Sequence, residues 1–313
     1  MSEQEERVPK PYTLIEWPEG NVTRAMPAGY RSLDLARRTG RLELIIEALT
    51  PVHVASGVIN LTDDPYRLMA RDIVRVGGKP VLPGSSVKGC IRSIAEAISY
   101  SCVRLRRDDI PDELTPCTRK NELCIACQTF GSFGYLAPVR FGDLRQTSGD
   151  VALVGVPLFH QPGKEPRIYR DGRWARGRKF YMHSAQQARG DSAMYVCTAG
   201  SQFEGTIEFA NLDDRQLGLL LVALGLDPTH PFKPKLGGAK PACYGTIGIA
   251  VRSFTITNVR NRYTSWNTAA DEAGDIRHYI GDARGTVVVE DRLAALAEAL
   301  QWPTDRECPT EEY

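Results

Sequence analysis

The chain, 313 residues long, is short of the features that would tie it to a membrane or to one sign of charge. No stretch reaches the roughly 18 apolar residues of a membrane span, and the opening segment MSEQEERVPKPY is charged and lacks the apolar core of an export signal. A cytoplasmic protein with no membrane partner is expected. Net charge is only +1, from 39 Lys and Arg against 38 Asp and Glu, so bulk electrostatics neither demands nor excludes nucleic acid, and local clusters must decide. The run Gly84-Ser-Ser-Val-Lys-Gly89 lacks the GKS or GKT ending of a phosphate-cradling P-loop, which excludes an ATPase of that kind. What remains, 42% hydrophobic and 25% charged residues, is the composition of an ordinary globular chain able to bury a core.

Basic residues cluster in Arg37-Arg38, in Arg104-Leu-Arg-Arg107 and above all from Arg173 to Lys179. There Arg176, Arg178 and Lys179 stand beside Trp174, Phe180 and Tyr181, giving both phosphate charges and stacking faces, as recognition of single-stranded RNA requires. An exposed basic loop pinned to the core by its aromatics fits the same residues.

Eight cysteines in a reducing compartment point to metal or redox chemistry rather than a disulfide framework. Cys117, Cys124 and Cys127 lie in CTRKNELCIAC, and Cys124-Ile-Ala-Cys127 has the C-x2-C spacing that wraps a metal, here zinc in a structural role, between two thiolates. A closed tetrahedral site needs a fourth ligand; Cys102 is the candidate, with a histidine or Cys90 as alternatives. Redox exchange would call for a thioredoxin-like pattern around the pair, and none is present. Cys90, Cys197 and Cys243 are expected as small apolar residues, and Cys308 in a mobile tail.

Residues 1–40 are Pro-rich and polar and read as an N-terminal arm. Arg41 to His53 alternates apolar and polar positions, the period of a half-buried strand. A hairpin turning on Gly77-Gly78 follows, then a helix from about 87 to 105, capped by Ser85 or Ser86, with Val87, Ile91, Ile94 and Ile98 on one face. Further on come a strand at Gly205–Phe209 and a helix capped by Asn211 with Leu217, Leu220, Leu221 and Leu224 inward. A glycine-rich loop from Lys235 to Lys240 and a strand at about 246–256 complete the pattern. The order is an α+β, ferredoxin-like (RRM-like) βαββαβ core. It spans 41–256, with a cysteine-rich insertion at about 102–130, a thumb-like loop insertion at about 160–190 and a C-terminal extension at 257–313.

Val81-Leu-Pro-Gly-Ser-Ser-Val-Lys-Gly-Cys-Ile-Arg92 resembles the PGSS-helix signature of the CRISPR-associated RAMP proteins, and Lys235-Leu-Gly-Gly-Ala-Lys-Pro-Ala-Cys-Tyr-Gly245 resembles their C-terminal glycine-rich loop. Between them, Cys127-Gln-Thr-Phe-Gly131 with Arg140-Phe-Gly-Asp143, and Gly177-Arg-Lys-Phe-Tyr-Met-His183, are similar to further segments of the family in the family's order. The resemblance implies a backbone subunit of a type III CRISPR effector complex. Such a subunit binds the guide RNA and its complementary target RNA, beside other effector subunits. It also implies a zinc knuckle, carried by some branches.

On that basis a phosphate is held by Ser85, Ser86 and their amides, with Lys88 or Arg92 neutralising it. In the glycine-rich loop, Gly237 and Gly238 let the backbone approach a strand that Lys235 and Lys240 bracket with charge. Many backbone subunits resemble metal-dependent endoribonucleases that use an aspartate before the PGSS helix. Here that position falls near Ala70, with Asp63, Asp64 and Asp72 around it. Asp72 is the catalytic candidate, with magnesium entering only if the chain cleaves RNA. His53 is the general-base candidate if it instead processes precursor RNA. An adaptor that binds only protein partners is the third alternative.

Overall fold

The computed structural model describes residues 12–30, 32–103, 110–158, 170–171, 174–264 and 271–309. After a short strand β1 (Tyr12–Glu16), the period-two segment forms β2 (Arg38–Ala48), which buries Leu42, Leu44, Ile46 and Ala48 and turns Arg41 and Glu47 to solvent. β3 (Ala55–Leu61) and β4 (Met69–Ile73) pair as one hairpin. β5 (Arg75–Val76) and β6 (Lys79–Leu82) make the smaller hairpin expected at the glycine pair, whose residues both hold the positive φ that such a turn needs. Next come α1 (Gly84–Ala97), α2 (Ile125–Phe130), β7 (Val139–Phe141), β8 (Leu144–Ser148) and β9 (Val151–Val156). β10 (Arg170–Asp171), β11 (Trp174–Ala175), β12 (Gly177–Tyr181), β13 (Ser192–Cys197) and β14 (Gln202–Leu212) lead into α3 (Asp214–Ala223). The chain then runs through β15 (Ile247–Thr257), α4 (Val259–Thr264), β16 (Asp271–Ala273), α5 (Ile276–Arg284) and α6 (Glu290–Ala299). No described helix is long and apolar enough to cross a membrane.

The principal sheet has the order β16-β15-β2-β14-β8-β6-β5, with β7 also paired to β14. Its four central strands are mutually antiparallel; β2 and β14 run in register from Glu47 opposite Gln202 to Gly40 opposite Phe209. One face presents Leu42, Leu44, Ile46, Phe203, Ile207 and Phe209 to a core closed by α1 and α3, which pack on each other. The opposite face carries Arg41, Glu43, Glu47, Glu204, Glu208 and Arg252, and no aromatic ring among its described residues. A second sheet, β3-β4-β13-β9, encloses a small cluster around Val156, Met194 and Val196.

β1 lies within the stretch expected as an arm, and it pairs antiparallel with β12, the centre of the basic segment expected as a loop. Ile15 and Phe180 anchor this ribbon in the main core, and α6 packs against it. Arg178 and Phe180, two positions apart, share the inward face of this strand, Phe180 joining the apolar core and Arg178 reaching the buried Glu96, while Lys179 and Tyr181 take the other face.

Both helix starts differ from expectation. Pro83 occupies the cap position of α1 and Ser85 and Ser86 lie inside its first turn, neither capping it. The cap comes from outside the helix: the Gly84 N–H donates to Asp143 Oδ1 at 2.8 Å. α1 also ends well before residue 105. Ser99 Oγ bonds back to Ala95 O at 2.6 Å and Ile98 O accepts the Val289 N–H, which turns the chain out of the helix toward the cysteines.

α3 is capped by Asp213, in a reciprocal capping box with Gln216. Asn211 instead sits at positive φ and ties down the preceding loop, accepting from Asp34 N and donating to Gly29 O and Ser32 O. Cys243 and Cys308, expected as an apolar residue and part of a mobile tail, are joined in a disulfide. The tail folds back over the turn at Lys240–Ala242 and brings the two Cα atoms to 6.0 Å, within bridging range.

Replacing Asp143 by Ala leaves the first amide of α1 unpaired and should lower stability by about 1 kcal/mol. Asp143→Asn, which keeps an acceptor, should lose less; urea unfolding midpoints of the two variants check the order.

Candidate metal centre and nucleic-acid cleft

α1 leads directly to Cys102, the following loop supplies Cys117, and α2 supplies Cys124 at its cap and Cys127 one turn on. All four are buried, with their sulfurs within 4.8 Å of one another. Cys102 Sγ lies 3.4 Å from Cys127 Sγ and 3.5 Å from Cys124 Sγ. A tetrahedral zinc with Zn–S near 2.3 Å requires sulfurs roughly 3.8 Å apart, so the four can hold such an ion with small adjustments.

Two backbone N–H groups already point at the set, from Cys102 to Cys124 Sγ at 3.4 Å and from Cys124 to Cys117 Sγ at 3.3 Å, and both favour thiolates. Crowding divides the protons unevenly. Hydrogen bonding from Cys102 pushes Cys127 down to about 6, while bonding with Cys117 drives Cys102 upward. The remaining alternative ligand, Cys90, lies on α1 with its thiol toward Lys235 O. Around the cysteines stands only a small apolar cluster of Val22, Val103, Ile110, Leu114 and Leu123, so this lobe lacks a core of ordinary size.

Arg92 belongs to this centre. Its Nε pairs with Glu96 at 2.7 Å, Nη1 donates to Gly131 O at 2.6 Å and Nη2 to Cys127 Sγ at 3.2 Å. Glu96, 2% exposed, also receives Arg178 Nη2 on its second oxygen at 2.5 Å. Sequence reasoning did not single out Glu96, although its position four residues after Arg92 on a helix signals a pair.

Seven of the residues expected to meet RNA close on one cavity of about 480 Å³ between α1, β12 and the glycine-rich loop: Ser86, Arg178, Lys179, Tyr181, Lys235, Gly237 and Lys240. Phe180, expected as a stacking face, is in its wall too; Cys90, Ser93 and Leu300 also line it and were not anticipated there. Lys235 is buried, its Nζ donating to Met182 O at 2.6 Å, and loss of hydration lowers its pKa to about 7. Lys179 Nζ rides 4.2 Å from the centre of the Tyr12 ring. Gly237, at φ +85°, passes so close to β2's continuation that a Cβ would sit 2.2 Å from His53 O, and the Gly238 N–H donates to that carbonyl at 2.8 Å. Gly237 is therefore required for loop-to-strand contact.

Other anticipated residues lie elsewhere. Ser85 is exposed on the first turn of α1, where the Gly84 amide is held by Asp143 and the Ser86 amide by Pro83 O. Lys88 donates to Val139 O and lines a separate apolar hollow with Phe133 and Leu136. Arg176 pairs with Glu16 at 3.3 Å on the outer rim. Asp72, on β4, accepts from Asn60 Nδ2 at 2.8 Å and from the Ile73 N–H at 2.8 Å, with Arg75 at 3.5 Å. His53 is buried with Nδ1 2.7 Å from Tyr195 O, and burial lowers its pKa. The basic residues 104–107 and Arg173 lie outside the described residues.

A largely antiparallel α+β fold with four buried cysteines placed to hold a metal beside a cationic cleft is the class of protein this geometry defines. The chain belongs to the RAMP superfamily, whose model matches residues 45–246, from β2 through the glycine-rich loop. Membership implies a CRISPR-associated, RNA-binding role. No curated protein matches the chain.

Elemental analysis of the purified protein should find about one zinc per chain, as a closed four-thiolate site holds a single ion. Cys127→Ser should lose it and unfold at lower temperature, whereas Cys197→Ser, in the main core, should keep the metal.

Proposed function

We propose that the chain is a backbone subunit of a type III CRISPR effector complex, holding the guide RNA, and through it the complementary target, beside other effector subunits. The observation that carries this reading is the convergence of Ser86, Arg178, Lys179, Tyr181, Lys235, Gly237 and Lys240, drawn from three separate segments of the chain, on one cleft. The strand order β15-β2-β14-β8, with α1 after β2 and α3 after β14, supports a ferredoxin-like βαββαβ core. In this reading the core spans 41–256, the insertion at about 102–130 is a structural zinc knuckle, and 257–313 is an extension that backs α3.

RNA runs on the helix side of the fold. The open sheet face sets its four glutamates against Arg41 and Arg252, the latter paired with Glu204, and has no ring among its described residues on which a base could stack, so it lacks the cationic, ring-bearing surface that a strand requires. Phosphates meet Lys179, Lys235 and Lys240, and Tyr181 offers an apolar edge. Because these groups address backbone charge, binding is tolerant of sequence and the guide supplies specificity by pairing.

A binding role fits Asp72 better than a cleaving one, since both its oxygens are engaged in fastening the β3–β4 hairpin to itself and to Arg75. Incubating the assembled complex with labelled complementary RNA and magnesium tests this. Intact RNA is expected; cuts abolished by Asp72→Ala would make the chain a nuclease subunit.

Two binding measurements follow from the cleft. Affinity for single-stranded RNA should fall with salt, and Lys179→Ala or Lys240→Ala should each reduce the slope of log K against log salt by about 1. Lys235 adds a pH dependence: in the free protein its amine loses a proton as pH rises through about 7, whereas a bound phosphate favours the ammonium. Binding above that pH must bring a proton with it, so affinity should weaken by up to about tenfold per pH unit between 7 and 9. Lys235→Met should flatten the profile.

A further inference from the structure

The turn Lys240–Ala242 has one end in each of two cavities. Lys240 lines the cleft described above, while Tyr244, just past the other end, lines a second cavity of about 770 Å³ with Pro51, Arg67, Gln186, Gln187 and Arg189. Polypeptide on either side of the turn is rigidly attached to it. The Ala188 N–H donates to Ala242 O at 3.2 Å, the Gly245 N–H donates to Pro51 O at 2.9 Å, and Cys243 is bridged to Cys308. The two cavities thus lie at the two ends of one firmly held turn.

We propose that the second cavity is a further RNA site, which takes the nucleotides adjacent to those in the first cleft as the strand crosses the Lys240 turn. This rests on the RNA-binding reading given above. None of the residues lining the cavity is a carboxylate. Arg67 pairs with Asp64 only at 3.7 Å, and its guanidinium lies along β9, where a Cβ on Gly155 would come within 2.6 Å of it. Arg189 is exposed and makes no ion pair among the described residues.

The amides complement these charges. Gln187 Nε2 is tied to Ala185 O at 3.0 Å, and Gln186 is exposed. Two guanidiniums for phosphates and two amides for base edges or sugar hydroxyls are the donor and acceptor set of a nucleic-acid strand. An acidic peptide could pair its backbone with the same amides, so the place of the cavity across the Lys240 turn from the first cleft is what favours RNA.

The test measures affinity for single-stranded RNAs of graded length, by fluorescence anisotropy at fixed salt, in wild type, Arg67→Ala/Arg189→Ala and Lys179→Ala/Lys240→Ala. The arginine variant should fall progressively behind wild type as RNA lengthens, reaching about a tenfold deficit, equivalent to 1.4 kcal/mol. The lysine variant should be weakened at every length. Arg189→Glu, at an exposed position that no fold contact uses, should reproduce the length-dependent loss with an unchanged melting midpoint. A deficit that is constant with length, or no deficit at any length, overturns the second site while leaving the first cleft standing. Tight capture of an acidic peptide, lost in Arg189→Glu without any length-dependent effect on RNA, would assign the cavity to a protein partner instead. Wild type that binds no RNA of any length overturns the RNA reading itself, and this site with it.

Discussion

Glu96 is a carboxylate with almost no access to water, and it holds two guanidiniums at once, Arg92 at 2.7 Å from its own helix and Arg178 at 2.5 Å from β12. A buried charge is tolerable only when it is paired and its hydrogen-bonding capacity is met. The trio still carries an excess of one positive charge. Arg92 directs a further N–H group to Cys127 Sγ, where a four-cysteine set holding a divalent ion would have negative charge to offer. Metal centre, helix and basic strand are therefore one electrostatic unit. Removing a single member leaves an uncompensated charge inside the protein.

That unit explains where the cleft lies. β12 could not be held beside α1 by its apolar residues alone, because Phe180 is its one fully core-directed side chain. The Arg178–Glu96 pair supplies the second attachment, and β1 supplies a ladder partner on the free edge. With β12 fixed, Lys179 and Tyr181 border the cavity across from the glycine-rich loop. The loop in turn is held by backbone contact at Gly237 and Gly238 and by the buried ammonium of Lys235, so each side of the cleft is set by groups that contact protein first.

Much of this architecture was visible in the residues. Alternation in β2, the glycine pair between β5 and β6, and the apolar stripe of Val87, Ile91 and Ile94 each announce an element through its own period, which depends only on near neighbours in sequence. The C-x2-C pair with Cys117 announced a metal site for the same reason, and Cys102 was within reach as the fourth ligand. Harder to see were the residues whose role depends on a distant partner. Ser85 and Ser86 resemble caps, yet Asp143 does the capping; Arg92 resembles a phosphate ligand, yet it faces a carboxylate and a sulfur.

By itself the sequence determined several of the central strands and helices, that Cys117, Cys124 and Cys127 belong to a metal donor set, and that motifs in a recognisable order mark the RAMP superfamily. These depend on local periodicity and short spacings, which survive without knowledge of the fold. Only the tertiary structure decided which cations remain at the cleft and which are consumed inside. Charge placement depends on burial and on partners distant in sequence, as between Arg176 and Glu16, 160 residues apart. The tertiary structure also paired the expected arm with the basic segment and joined Cys243 to Cys308, because closure of long loops is determined by the packed core rather than by adjacent residues.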